Sequence, residues 1–235
     1  VGTYDGAELT VWVNGAKEVS TPFSGVMNTT SVTQLRLGTN AVGDAHLNGL
    51  CDDVRIYSRV ITAQSIGLLA SRRNISYERA PRRFFKAAVA PTTGTQIISR
   101  IPATPSYQNG FAPRDGRPKY PQLWEGCVGA WSPGLGPTGG TLYDWSGLKN
   151  HGTLTNMDPA TDWVPSQGAM ALDFDGSNDY VNLGNATMLR FIGTGQRFSV
   201  CAWINFNSST AGGMITACTR SSSVFSGWHI QTYYS

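Results

Sequence analysis

The sequence predicts an all-β protein: an antiparallel β-sandwich or jelly roll with one short helix and a long irregular linker. Three observations carry this expectation. Short runs with apolar side chains at alternate positions recur along the chain, and turn residues separate them. Glycine and proline are frequent, 27 and 12 of 235 residues, and only 14% of residues are charged, as suits many short strands joined by tight turns. A helical pattern of apolar residues is confined to one short stretch.

The elements follow in order. Leu9-Thr10-Val11-Trp12-Val13 alternates apolar with small or polar side chains, and Asn14-Gly15 supplies the positive φ of a two-residue hairpin turn. Gln34 to Gly38 is a second strand. Leu47 to Tyr57 is a longer one, with Val54 and Ile56 on one face and Arg55 and Tyr57 on the other. Thr62 is a suitable N-cap for a short helix whose inner face carries Ile66 and Leu69. From about Arg73 to Gln122 alternation stops. The segment begins with the basic RRNISYERAPRRFFKAA and continues rich in Pro, Gly, Ser and Thr, which is linker composition. Strands return at Cys127–Trp131, Met170–Gly176, Asp179–Leu183, Phe198–Phe206, Ile215–Arg220 and Trp228–Tyr233. The organisation is therefore a strand-rich segment 1–72, a linker or arm 73–122, and a second strand-rich segment 123–235.

The net charge of +3 is slight, and its excess lies in the linker rather than over a face, which argues against nucleic acid. No apolar run approaches the roughly 20 residues that span a bilayer, so membrane insertion is not expected. Cys51, Cys127, Cys201 and Cys218 each occupy an apolar strand position, and none forms a C-x-x-C pair. Buried thiols are the favoured reading, with a Cys201–Cys218 bridge as the alternative. Buried thiols lean towards folding in a reducing compartment.

ALDFDGSNDYVNLGN followed by FSVCAWINF resembles the first half of a laminin G-like domain, the concanavalin A-like jelly roll. DWSGLKNHGTL is similar to the loop that precedes that half. GTYDGAELTVWVNG, LRLGTN and LNGLCDDVRIYSRVITAQSI resemble the second half of the same domain, so the second half here precedes the first. Three arrangements accommodate this order: part of a tandem array, a circular permutant bridged by the linker, or head-to-tail completion between copies. Permuted or intermolecular completion is favoured slightly. Even then a hairpin of two short strands is missing between Ser235 and Val1.

The resemblance implies sites as well as a fold. Asp52, Asp53, Asp175 and Asp179 fall where some similar domains offer oxygen ligands to a structural Ca²⁺. Alternatively, Asp175-Gly176 is turn chemistry, and Asp53 pairs with Arg55 or caps a loop. Trp145, Trp228 and Tyr233 are candidates for stacking against a glycan. In the linker, Arg82, Arg83, Phe84 and Phe85 form a candidate assembly arm, because two adjacent exposed Phe are costly unless they bury somewhere. Glu8, Glu18, Glu78 and Glu125 are scattered and no nucleophile elbow is present, so no enzyme is expected.

The function expected first is a non-catalytic structural or adhesive module that self-associates in a surface assembly or phage particle. Its partners would be other copies of itself or neighbouring repeats of a larger chain. Second comes a Ca²⁺-assisted module binding a cell-surface glycan, and third a glycoside hydrolase. The expected location is extracellular, on a cell surface, or in a phage virion.

Overall fold

The computed structural model describes residues 1–24, 34–40, 43, 45–79, 118–189, 196–207, 213–219 and 227–231. In chain order the strands are β1 (Gly2–Tyr4), β2 (Glu8–Val13), β3 (Ala16–Pro22), β4 (Arg36–Leu37), β5 (Asn48–Tyr57), β6 (Cys127–Trp131) and β7 (Thr141–Leu142). They continue with β8 (Gly152–Thr155), β9 (Trp163–Ser166), β10 (Ala169–Asp175), β11 (Tyr180–Asn182), β12 (Phe198–Phe206), β13 (Met214–Thr219) and β14 (Gly227–Gln231). Among the described residues one α-helix, α1, spans Ala63–Ser71. All strand pairings among the described residues are antiparallel, as expected.

Two sheets form the sandwich. The larger runs β3-β2-β1-β12-β5-β10-β9, with β6 also paired to β5, and the smaller runs β14-β13-β4-β11-β8-β7. Residues from both strand-rich segments alternate within each sheet. β5 lies between β12 on one edge and β10 and β6 on the other, and β4 lies between β13 and β11. In the structure the two segments thus complete one sandwich, and neither forms a sheet pair independent of the other.

Local sequence explains the principal elements. Asn14 (φ 50°) and Gly15 (φ 84°) both take the positive φ of a type I′ turn, so the β2–β3 hairpin closes as its Asn-Gly predicts. Thr62 caps α1, its hydroxyl accepting from the Ser65 N–H at 3.2 Å. Ile66 and Leu69 are the buried apolar face of that helix. β5 presents Val54 and Ile56 to the inter-sheet core and Arg55 and Tyr57 to the opposite face.

The larger sheet is covered on both sides. Its inner face, with Val54, Ile56, Leu172, Phe174 and Val200, packs against Leu37 and Val181 of the smaller sheet. Gly38 (φ 86°) lets that layer close: a Cβ there would lie 2.4 Å from the Phe174 ring. The outer face carries a second core, in which Tyr57, Cys127, Ala130 and Cys201 pack with Ile66 and Leu69 of α1, Ile75 and Leu123. Both described ends of the segment read as linker join this outer layer. Residues 75–77 and 121–123 form single 3-10 turns, and Arg79 bridges Pro118.

Candidate functional site

The hairpin β2–β3 at the end of the larger sheet has two unlike faces. Thr10 and Trp12 point to the outer side, where Thr10 is buried and Trp12 packs on the outer core. Leu9, Val11 and Val13 alternate to the inner side, and the cross-strand pair Val11–Val19 places Val19 with them. That the inner side faces the sandwich interior follows from β1: Leu9 pairs with Tyr4, a member of the inter-sheet core.

These inward side chains are nevertheless open to water. Leu9 is 41% exposed, Val11 45%, Val13 48% and Val19 54%, and Phe23 just beyond β3 is 43% exposed. The cause lies in the facing sheet. Ile230 of β14 sits under β1, where a Cβ on Gly2 would lie 3.2 Å from its Cδ1, and Trp228 packs 5.7 Å from the Phe198 ring. Among the described residues the smaller sheet ends at β14. Among these residues β2 and β3 extend two strands beyond it, with an exposed apolar sheet face. Sequence reasoning read the hairpin correctly but gave its face no role. The signal was the same alternation, since strict apolar spacing at 9, 11 and 13 marks a face that has to be covered.

The acidic residues do not gather into one site. Asp53 lies in a bulge and Asp52 beside it: between the pairs Cys201–Arg55 and Trp203–Asp52, two residues of β5, Asp53 and Val54, oppose Ala202 alone, and Asp53 has φ 47°. The extra residue turns both carboxylates to the outer face, where donors consume them. Asp53 accepts from Arg55 Nε at 2.8 Å and from the Asn74 N–H at 2.9 Å. Asp52 accepts from its neighbour Asp53 N–H at 2.7 Å, from the Gly134 N–H at 2.9 Å and from the Ser132 hydroxyl at 3.2 Å. Burial pushes the Asp52 carboxyl above the usual range. Arg55 is wholly buried, its guanidinium 4.7 Å over Tyr77 and 5.0 Å over Trp124. Burial works against its charge, but Asp53 together with Tyr77, Tyr57 and Cys127 outweighs it and raises its pKa.

Asp175 and Asp179 stand elsewhere, at the turn after β10. Asp175 accepts from the Ser177 N–H at 2.7 Å and the Asn178 N–H at 3.3 Å, and Asp179 accepts from the Asp175 N–H at 3.1 Å. Slight burial opposes ionisation of Asp175, yet these amides hold its carboxyl below the usual range, whereas burial raises that of Asp179. Asp175 thus sits in turn hydrogen bonds and Asp53 pairs with Arg55. No cluster of three or more His, Cys, Asp or Glu able to hold a metal converges among the described residues.

Of the aromatic candidates, Trp145 is 48% exposed and meets Tyr77 edge-on at 6.4 Å. Its neighbour in the same turn, Tyr143, is 43% exposed and packs on His151. Asp144 between them is buried and fixes the turn, accepting from Ala130 N–H, Ser146 N–H and Asn150 N–H at 2.8–3.0 Å. Trp228 requires correction: it is 6% exposed, within the inter-sheet core, because β14 folds inward against Phe198. Tyr233 and the arm Arg82, Arg83, Phe84 and Phe85 lie outside the described residues. Cys51, Cys127 and Cys201 are free buried thiols, so Cys201 forms no bridge. A cavity of about 230 Å³ lies between the hairpin tip, the end of α1 and β12, lined in part by Trp12, Ala70 and Trp203. The one carboxylate in its wall is Asp53, already held by Arg55 and Asn74.

Residues 1–67 match the model of a family described as the concanavalin A-like lectin/glucanases superfamily, Laminin_G_3. This segment is similar to members of that family. The match runs from β1 through the first turn of α1, so the β2–β3 hairpin, the β5 bulge and the helix cap all fall within the matched residues. No curated protein and no solved structure matches the chain. The antiparallel two-sheet sandwich agrees with that family's fold and, by itself, assigns no activity.

Proposed function

We propose that this protein is a non-catalytic structural module that acts by associating with other β-sandwiches, either copies of itself or neighbouring repeats of a larger chain. The observation that carries this reading is the exposed inner face of β2–β3, where Leu9, Val11, Val13 and Val19, with Phe23 just beyond β3, are each between 41% and 54% exposed. Monomeric proteins rarely leave such contiguous surface open unless it is an interaction face. A surface assembly or phage particle is the setting we infer, and three free buried thiols suit a chain folded in a reducing compartment before assembly. The non-catalytic reading draws support from the buried carboxylates Asp52, Asp53 and Asp144, whose oxygens are taken up by backbone and side-chain donors.

Sedimentation of the purified chain across a wide concentration range tests this. The expected result is reversible, concentration-dependent assembly. A single monomeric species at every concentration argues against it.

A second reading has its own observation. Trp145 and Tyr143 expose aromatic surface on one turn held by Asp144, a platform on which a sugar ring can stack. Screening a glycan panel with and without Ca²⁺ tests it, and binding that Trp145→Ala abolishes without unfolding the protein favours it.

A further inference from the structure

We infer that His151 is an acid-sensitive prop for the turn that carries Tyr143 and Trp145: its neutral ring holds the turn closed, and protonation of the ring releases it. This goes beyond both readings above and requires no ligand.

The observation is a hydrogen bond at the base of the turn. β7 and β8 pair through Leu142–Gly152, and residues 143–151 connect them. Just inside that pair the Asp144 N–H donates to His151 Nδ1 at 3.0 Å, so a side chain closes the base. A backbone N–H is a donor, so Nδ1 accepts with its lone pair, and the hydrogen of the neutral ring is on Nε2. Tyr143 rests edge-on against the same ring, with the centroids 5.0 Å apart. His151 therefore supports one exposed aromatic residue directly and the other through Asp144.

The rest of the turn hangs on Asp144, which is buried. Its carboxylate gathers the amides of Ala130, Ser146 and Asn150 and the Ser146 hydroxyl. Its backbone bridges Trp131, and the adjacent Trp145 N–H donates to the Ala130 carbonyl at 2.7 Å. An imidazole protonated on both nitrogens has no lone pair for the Asp144 amide, and its charge faces the positive end of that N–H. A buried amide without an acceptor is costly, and opening the turn to water relieves it.

The titratable and charged groups around the ring are Tyr143, Asp144 and, on the same loop, Lys149. β6 meets the loop through the Ala130 backbone and the Val128 carbonyl. Attraction between Asp144 and an imidazolium is weakened, because the carboxylate oxygens already accept four hydrogen bonds. Imidazole is the side chain that changes charge between about pH 5 and 8 without special tuning, so mild acid is the signal.

The test is amide hydrogen exchange by NMR on the full chain, as wild type, His151→Asn and His151→Ala, at about pH 7.5 and about pH 5. Rates are corrected for the intrinsic pH dependence of exchange. His151→Asn keeps an oxygen acceptor near the Nδ1 position and has no proton to gain, whereas His151→Ala removes the acceptor. In the wild type the Asp144 and Trp145 amides should lose protection about tenfold or more in acid. Val54 and Ile56 in β5 should keep theirs, showing that the sandwich is intact. The turn should stay protected at both pH values in His151→Asn and open at both in His151→Ala. If the wild-type turn stays protected in acid, or opens as far in His151→Asn as in the wild type, the inference falls. The glycan reading, which asks for the exposed Trp145 surface at neutral pH, is decided separately by its own screen.

Discussion

On the inner face of the larger sheet, Val54, Ile56 and Val200 meet the facing sheet through hydrocarbon alone. On its outer face, one residue further along the same strand, Arg55 and the paired carboxylates Asp52 and Asp53 are buried as deeply beneath α1 and the 3-10 turns. The inner layer depends on volume and shape, and loses stability in proportion to the carbon removed. The outer layer depends on charge pairing: the buried Arg55 guanidinium, whose terminal nitrogens meet ring faces and no hydrogen-bond acceptor, is tolerable only while Asp53 is present. At β2–β3 the pattern inverts, since there the outer side is covered and the apolar inner side is bare.

The sharpest way to break this comparison is Asp53→Ala. It leaves the Arg55 guanidinium buried without its carboxylate and should cost about 3–5 kcal/mol in urea-induced unfolding. The double variant Asp53→Asn/Arg55→Met should recover most of that loss. A single variant that costs less than about 1 kcal/mol would mean that the outer layer does not rely on the pair.

The inner layer gives a graded response. Leu37→Ala, under the covered part of the sheet, should cost about 3 kcal/mol. Val11→Ala, on the bare part, should change the stability of the dilute monomer by no more than about 0.5 kcal/mol. Similar costs at the two sites would contradict the difference in covering.

Smaller still is an alkaline effect confined to the outer layer. Burial pushes the Cys127 thiol from 9.0 to about 11 and that of Cys201 to about 12. Below pH 9 both folded and unfolded chains keep these protons, so they contribute no pH dependence. Above it the unfolded chain ionises first, and stability falls as pH rises from about 9 towards 11. Cys127→Val should flatten that decline in a series of urea midpoints. The same burial predicts that at pH 8 a thiol reagent labels Cys51, Cys127 and Cys201 only on unfolding.

Much of the sandwich is legible from single residues. Asn14-Gly15 dictates its turn, Thr62 its cap, and the alternation from Val54 to Tyr57 the two faces of β5. Those are local signals with one dominant physical cause. The acidic pairs are a different matter. Asp52-Asp53 reads as two oxygen donors until the one-residue bulge against β12, set by a strand almost 150 residues away, turns both onto Arg55, Asn74 and Gly134. Trp145 and Trp228 both stand beside glycine or polar neighbours, yet one is exposed and the other buried, because only the pairing of β14 with β13 decides which side of Trp228 meets the core. The bare hairpin face was invisible for the same reason, as its exposure depends on where the opposite sheet stops.

The position of β5 has a consequence for how the molecule is made. Its residues are complete at Tyr57, but its neighbours β6, β10 and β12 begin at Cys127, Ala169 and Phe198. About 150 residues must still be synthesised before β12 is whole, which at roughly 5–20 residues per second leaves the central strand waiting on the order of 10–30 s. During that interval the ten-residue strand is attached to the ribosome with its β12 edge unsatisfied throughout, and with its other edge open until β6 and β10 emerge. Refolding from denaturant meets the same long loop closures, so the full chain should acquire structure slowly and late, with hydrogen-exchange protection at Val54 and Ile56 arriving only together with that at Val200.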